Sequence, residues 1–351
     1  MPLVPSTGRR MPGWTLPPLP DLHDALRSLL REIPPGRVTT YGDLARQLGD
    51  VGAARWVAET LGQVAPDFGP SHRVVRKSGE LPAGSAQRER LRAEGCPLLP
   101  EGRVDVARAA FPLRDVGQPL QTLREWQRGL AEVVTLPAWS AVPATIGGID
   151  VSYAADHMAV AAYVSVNVAT AELQWSCVVS RDVPFPYIPG YLTFREAPIL
   201  LDLLAAVRRQ HALDPVILVD GSGRLHPRRS GIAVAVGLLA DCATIGVSKH
   251  QLCGQVTADR PVEGCPGIAL NGEVVGAKLD GGSHRRTLYV SPGHGIDLHS
   301  AVRFTREVWR RERWPLPIWQ ADRLSRAAAR TASIMSQDAS QGRMPSQRQS
   351  T

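Results

Sequence analysis

The stretch that most constrains the fold runs from Pro215 to Gly254, PVILVDGSGRLHPRRSGIAVAVGLLADCATIGVSKHQLCG. Residues 216–219 are a short continuous run of β-branched and aliphatic side chains, the pattern of a buried strand. The run stops at Asp220-Gly221, which puts a carboxylate at the carboxyl end of a strand, where α/β sheets place their chemistry. A Gly-rich turn follows, carrying His226, Pro227 and a basic pair. An apolar helix is then expected from Ser230 to about Ala240. A second buried strand, 243–247, ends at Ser248-Lys249. Asp220 and Lys249 are thereby aimed at one end of a sheet, with His226 near the mouth: an acid, a cation and an imidazole around one crevice.

Lys249 stands out against the composition. The chain has 40 Lys plus Arg, yet its only lysines are Lys77, Lys249 and Lys278. Arg is chosen almost everywhere, so a Lys at a strand end marks a need for a compact ammonium. The length of 351 residues predicts two domains, and an apolar fraction of 44% is enough for two cores. A net charge of +7 favours a polyanionic partner. No uninterrupted apolar span reaches membrane length, and the first residues lack the apolar core of a signal peptide, so a cytoplasmic location is expected, with no membrane and no obligate protein partner implied. Five cysteines, odd in number and without CxxC spacing, argue against a disulfide framework or a zinc site.

Along the chain, residues 1–19 are Pro-rich and expected to be flexible. An amphipathic helix is predicted from Leu22 to about Glu32, ending at Pro34-Pro35-Gly36. Thr40 is positioned to cap the next helix, which ends at Gly49, and a second helix runs over 53–61 with Arg55 near its start. Helix, Gly-containing turn, helix is the helix-turn-helix pattern, whose second helix enters a DNA groove. Residues 101–117 carry Pro, Gly and mixed charge and are expected as a linker, followed by a helix from about Pro119. Three successive strands are predicted at 145–153, 158–166 and 172–179, with Asp150 in the middle of the first. Three prolines then forbid regular structure over 183–190, and a helix starts near Thr193 with Glu196 in its first turn. The stiff Pro186-Tyr187-Ile188-Pro189 tip presents an aromatic and an aliphatic side chain, a form of wedge that can push between bases. Further on, strands are predicted at 275–279 and 287–290, at the far edge of the sheet. A helix follows from Leu298 to about Arg313, whose arginines can contact phosphates or face solvent. The tail from 331 is expected to be disordered.

Two groups of motifs carry resemblances. Ile33-Pro34-Pro35-Gly36-Arg37-Val38-Thr39-Thr40-Tyr41-Gly42, Ala54-Arg55, Pro70-Ser71-His72-Arg73-Val74-Val75 and 87–95 (QRERLRAEG) resemble alkyltransferase-like proteins and the DNA-binding domain of O6-alkylguanine-DNA alkyltransferases, over residues 20–100. Ser71 stands where the transferases have their acceptor cysteine. A hydroxyl lacks the thiolate that makes alkyl transfer feasible, so the resemblance implies a domain that binds O6-alkylguanine without repairing it. Arg55 would fill the gap left by a flipped base and Tyr41 would press on its phosphate, with Ser71, His72 and Arg73 at the site.

The second group is Ile149-Asp150-Val151-Ser152-Tyr153, Pro186-Tyr187-Ile188-Pro189-Gly190, Phe194-Arg195-Glu196, Val219-Asp220-Gly221, His226-Pro227-Arg228, 244–249 (TIGVSK) and Ser291-Pro292-Gly293-His294. These resemble endonuclease V over residues 118–330. The resemblance implies a magnesium-dependent nuclease that nicks damaged DNA at the second phosphodiester 3′ to deoxyinosine. Carboxylates converging at strand ends repel one another unless a divalent cation lies between them. Asp150, Glu196, Asp220 and the later Asp322 are the candidate ligands, and hard oxygen donors suit Mg²⁺, with Mn²⁺ as a substitute. Lys249 would neutralise charge on the scissile phosphate and His226 would orient water or phosphate. A flipped base would be held by Tyr187, Ile188, Pro189, Gly190, Leu192, Gly221, Gly231, Ile232 and Leu252. Two alternatives remain open: a ribonuclease acting on inosine-containing RNA at the same site, and a lesion sensor with little nuclease activity. The expected fold is α/β: an N-terminal winged helix-turn-helix alkyltransferase-like domain, then a ribonuclease H-like mixed sheet flanked by helices.

Overall fold

The computed structural model describes residues 14–81, 86–114, 117–154, 158–282, 286–310 and 313–340. They divide into two compact units, one of Pro17–Trp126 with Phe185–Tyr191, the other of the remainder. The first opens with α1 (Leu22–Glu32), which buries Leu22, Leu26, Leu29 and Leu30 at helical spacing. Asp21 caps it by accepting from the Asp24 N–H at 2.9 Å. β1 (Thr39–Thr40) pairs in parallel with β2 (Val74–Val75). Between them lie α2 (Tyr41–Gln47) and α3 (Ala54–Gln63), the helix-turn-helix. Thr40 caps α2, its hydroxyl accepting from the Asp43 N–H and donating to the Asp43 carboxylate.

α4 (Ala86–Ala93) and α5 (Val106–Ala109) complete this unit. The stretch expected as a linker is partly folded into it. Val104 and Ala109 are buried with Val38, Val75, Leu91 and Cys96, and the Phe111 N–H donates to the Val38 carbonyl. At the N-terminus, residues 1–13 lie outside the described residues, and Leu16, expected to be loose, packs against a core cluster of the second unit.

After α6 (Pro119–Val133) come β3 (Thr145–Tyr153), β4 (Met158–Asn167), β5 (Leu173–Asp182), α7 (Leu192–Gln210), β6 (Val216–Asp220), α8 (Ile232–Leu239) and β7 (Ala243–Ser248). β8 (Gln255–Val262), β9 (Cys265–Leu270), β10 (Glu273–Leu279), β11 (Leu288–Pro292), α9 (Leu298–Glu307) and α10 (Leu316–Ser340) follow. The strands form one sheet in the order β5-β4-β3-β6-β7-β11-β10-β9-β8. The β3/β6 and β6/β7 pairs are parallel and the others antiparallel. Alternation along β6 builds a core on each face. Ile217 and Val219 pack with Leu203 and Val236, while Val216 and Leu218 pack with Phe304 and Ile318. Helix α10 lies so close to β3 that a Cβ at Gly148 would stand 2.4 Å from the Pro317 carbonyl carbon.

Four sequence expectations change. β10 and β11 are interior strands, because the unforeseen β8–β9 hairpin extends the sheet beyond them. Helix α9 stops at Glu307, short of Arg313, where the chain turns to bury Val308 and Trp309 in the core. Arg303 and Arg306 on it, and Arg310 just beyond it, donate to the carbonyls of Trp139, Glu263 and Val168, so these arginines bind protein backbone. The tail from 331 continues α10 to Ser340, and residues beyond it lie outside the described ones. Among the described residues no helix is long and apolar enough to cross a membrane.

Candidate active site

Parallel pairing of β3 with β6 sets Ile149 opposite Val219, so Asp150 and Asp220 follow side by side at adjoining strand positions. Both fall on the α10 face by alternation. Ser325 of α10 donates to Asp150 Oδ2 at 2.8 Å, and Ser152 lies 2.8 Å from the same hydroxyl. Lys249, just past β7, donates to Asp220 Oδ2 at 2.9 Å and lies 4.5 Å from the centre of the Trp314 ring. Glu196 comes from the start of α7. It accepts from the Tyr153 hydroxyl at 2.9 Å, and Arg195 stacks 4.4 Å over that ring. Asp322, on α10, pairs with Arg326 at 2.8 Å.

These carboxylates carry the electrostatics of a crowded, dry anionic cluster. Burial first, then the charge of Asp220, pushes Asp150 up to about 7 against the Ser325 hydrogen bond. Burial pushes Glu196 up to about 8, with Asp150 and Asp220 adding to the effect and the Tyr153 hydrogen bond opposing it. Among the described residues no three His, Cys, Asp or Glu side chains close into a metal cage. Each acid instead takes a local donor or cation. The donor set is nonetheless all oxygen and under-neutralised, which fits a hard divalent cation. Asp150, Glu196 and Asp220 would hold it.

His226 is the departure from expectation at this site. It is 3% exposed, not at the mouth, and its Nδ1 accepts from the Arg228 N–H. The cause is the loop around it, which folds down on the sheet: Gly223 N–H donates to Ser291 Oγ and Arg224 N–H to the Pro292 carbonyl. Gln127 pins the far side, donating to the Ser230 carbonyl and accepting from Arg228 Nε. Packing dictates the glycines here: a Cβ at Gly231 would meet the Ser222 carbonyl oxygen at 2.2 Å, and one at Gly221 would meet Ile232 Cγ2 at 2.4 Å. Ile232 is buried, Leu192 half-buried and Leu252 exposed. Of the wedge, Tyr187 is 63% exposed and Pro189 exposed, but Ile188 is buried and does not form part of an exposed tip. Gly190 takes φ +82° beyond it.

Sequence reasoning missed Ser325, Gln127 and a cavity of about 420 Å³ lined by Tyr153, Arg326, Arg330 and Ile334, among others. The i,i+4 pair of arginines on a helix was its only sequence signal.

In the first unit, Tyr41, Ser71, His72 and Arg90 line a cleft of about 310 Å³ together with α3 residues Ala58, Leu61 and Gly62. Glu94 organises one wall. It accepts from Arg73 at 2.7 Å and lies 2.8 Å from His72 Nε2, and Arg73 above all, with His72 and the Gly36 N–H, holds it down at about 2. Arg55 is not among the residues lining the cleft. It projects into solvent and pairs with Glu59 one turn on.

The family model for Endonuclease V matches residues 129–323. The chain belongs to the endonuclease V family. A model of the 6-O-methylguanine DNA methyltransferase DNA binding domain matches residues 21–96. A bifunctional methyltransferase/endonuclease of Picrophilus torridus is 34% identical over 82% of this chain and 90% of its own. An endonuclease V of Roseiflexus sp. is 40% identical over 52% of this chain and 80% of its own. The crystal structure of endonuclease V from Streptomyces avermitilis is 30% identical with a TM-score of 0.54, covering 62% of this chain and 95% of that one. The chain is therefore a metal-dependent endodeoxyribonuclease with a DNA-binding, alkyltransferase-like domain.

Proposed function

We propose that the protein nicks DNA at the second phosphodiester 3′ to deoxyinosine, using Mg²⁺ with Mn²⁺ as a substitute, in the cytoplasm. The observation that carries this reading is the pairing of Asp150, inside β3, with Asp220, at the end of β6, with Glu196 close enough to share their field. A divalent cation held there would supply an activated water and stabilise charge on the phosphate. Lys249, freed from Asp220, donates to a non-bridging phosphate oxygen. Tyr153 holds Glu196 in its rotamer, and Ser325 does the same for Asp150. Asp322 keeps Arg326 in place beside the cavity, where Arg326 and Arg330 bind the strand backbone. Buried His226 braces the loop carrying Gly221, Gly231 and Ile232, on which the flipped base rests together with Leu192 and Leu252.

The first unit binds O6-alkylguanine in the cleft of Tyr41, Ser71 and His72, with Arg73 fixing its wall and Arg55 taking the place of the displaced base. It transfers no alkyl group, because the hydroxyl of Ser71 is not an acceptor comparable to a thiolate. Labelled duplexes with one inosine, one O6-methylguanine or neither, and an inosine-containing RNA, separate the readings. With Mg²⁺, a nick one nucleotide beyond inosine in DNA is expected, and none with chelator. Preference for the RNA would replace the DNA substrate, and no nicking of either would leave a lesion binder.

A further inference from the structure

The motif Pro186-Tyr187-Ile188-Pro189-Gly190 belongs by sequence to the nuclease, yet Phe185–Tyr191 packs within the same compact unit as the helix-turn-helix. The attachment is specific. Tyr191 is 1% exposed and donates its hydroxyl to Asp50 Oδ2 at 2.5 Å. The same carboxylate oxygen faces Arg124 Nη1 at 3.7 Å. The other oxygen of Asp50 accepts from the Gly52 N–H at 2.8 Å, fixing the turn between α2 and α3. The Leu120 N–H donates to the Leu48 carbonyl, so α6 is bonded to the same turn. The Tyr191 N–H donates to the Ile188 carbonyl, closing the wedge upon buried Ile188.

Two exposed prongs extend from this anchor. Arg55 follows Asp50 by five residues, and Tyr187 precedes Tyr191 by four. Arg55 pairs with Glu59 one turn on and is largely exposed, as is Tyr187. An arginine and an exposed aromatic carried close in sequence to the two ends of one Asp50–Tyr191 hydrogen bond are what a disturbed duplex recruits: one matches phosphate or an orphaned base edge, the other stacks.

We infer that Arg55 and Tyr187 form one composite surface for duplex DNA, and that Asp50, through Tyr191, positions the wedge on it. The inference rests on the reading of both units as binders of altered purines. The lesion-binding unit then contributes to inosine recognition itself, beyond tethering.

Tyr191→Phe removes only the hydroxyl, and Asp50→Asn removes the charge and leaves one acceptor oxygen for two donors. Single-turnover nicking of an inosine duplex at varied protein concentration separates half-saturation from maximal rate. Loss of a hydrogen bond to a charged group should raise the half-saturating concentration about tenfold in either variant, with maximal rate kept. The double variant should be no worse than either single, and Arg55→Ala should weaken half-saturation on the same inosine duplex. Wild-type half-saturation in both single variants, additive losses, or a loss confined to maximal rate would overturn the inference. If the wild-type protein nicks no inosine DNA, the nuclease reading fails by itself. Equilibrium binding to an O6-methylguanine duplex then decides: weakening in Tyr191→Phe sustains the composite surface, and unchanged binding rejects it.

Discussion

Glu196→Gln separates the cost of the anionic cluster from its use. Glu196 is 9% exposed and stands at about 8 rather than its ordinary 4.5, first because of burial. The fold therefore prefers its protonated form and binds one proton that the unfolded chain releases. By linkage the contribution is complete below 4.5, and stability falls as pH rises to about 8. At roughly 1.4 kcal/mol per pH unit, the loss is on the order of 5 kcal/mol. For a unit of about 200 residues this lowers the melting temperature by roughly 10–20 °C. Asp150, pushed up to about 7, adds in the same sense. A glutamine keeps an acceptor for the Tyr153 hydroxyl and cannot ionise. Melting curves in chelator at pH 5.5 and 8.5 should show wild type losing far more stability than Glu196→Gln, with the variant the more stable at pH 8.5. Mg²⁺ should restore wild type at pH 8.5 and do less for the variant. A Glu196→Gln protein that loses as much stability as wild type between these pH values would refute the reasoning.

Lys249→Met keeps a long unbranched side chain but removes the ammonium that lies over Trp314 and donates to Asp220, and should slow nicking at least about a hundredfold at saturating Mg²⁺, read by single-turnover rates. Gly148→Ala forces a Cβ against the Pro317 backbone and should destabilise the nuclease unit by about 1–3 kcal/mol, read by urea unfolding. Mass spectrometry after incubation with O6-methylguanine DNA should show no methyl on the protein; a stoichiometric adduct would contradict the binder reading of Ser71.

The parts legible in the sequence were those whose surroundings are uniform. The strands at 216–219 and 243–247 read correctly because they are buried on both faces and end at Asp-Gly and Ser-Lys, so the apolar runs have sharp borders. The β8–β9 hairpin escaped because β8 is an edge strand with mostly exposed side chains and an internal Asp-Arg-Pro. Its turn, Glu263-Gly264, has both residues at positive φ, as does Asn271-Gly272 between β9 and β10. The Asn-Gly pair was a hairpin signal in plain view. His226 was misplaced because loop burial follows no period; the hydrogen bonds that fold 221–231 onto β11 come from backbone and from Ser291. Nothing local marks Asp50, because its partner Tyr191 lies 141 positions away.

The central claim is that one carboxylate cluster on the neighbouring strands β3 and β6 performs metal-dependent nicking, separately from lesion binding. Asp220→Asn keeps the shape of the side chain and an acceptor for Lys249 while removing the charge. Nicking and equilibrium binding of one inosine duplex should be measured for this variant and wild type at saturating Mg²⁺. Loss of nicking by about three orders of magnitude with binding within about twofold is the predicted result. Near-normal nicking by Asp220→Asn would contradict the account.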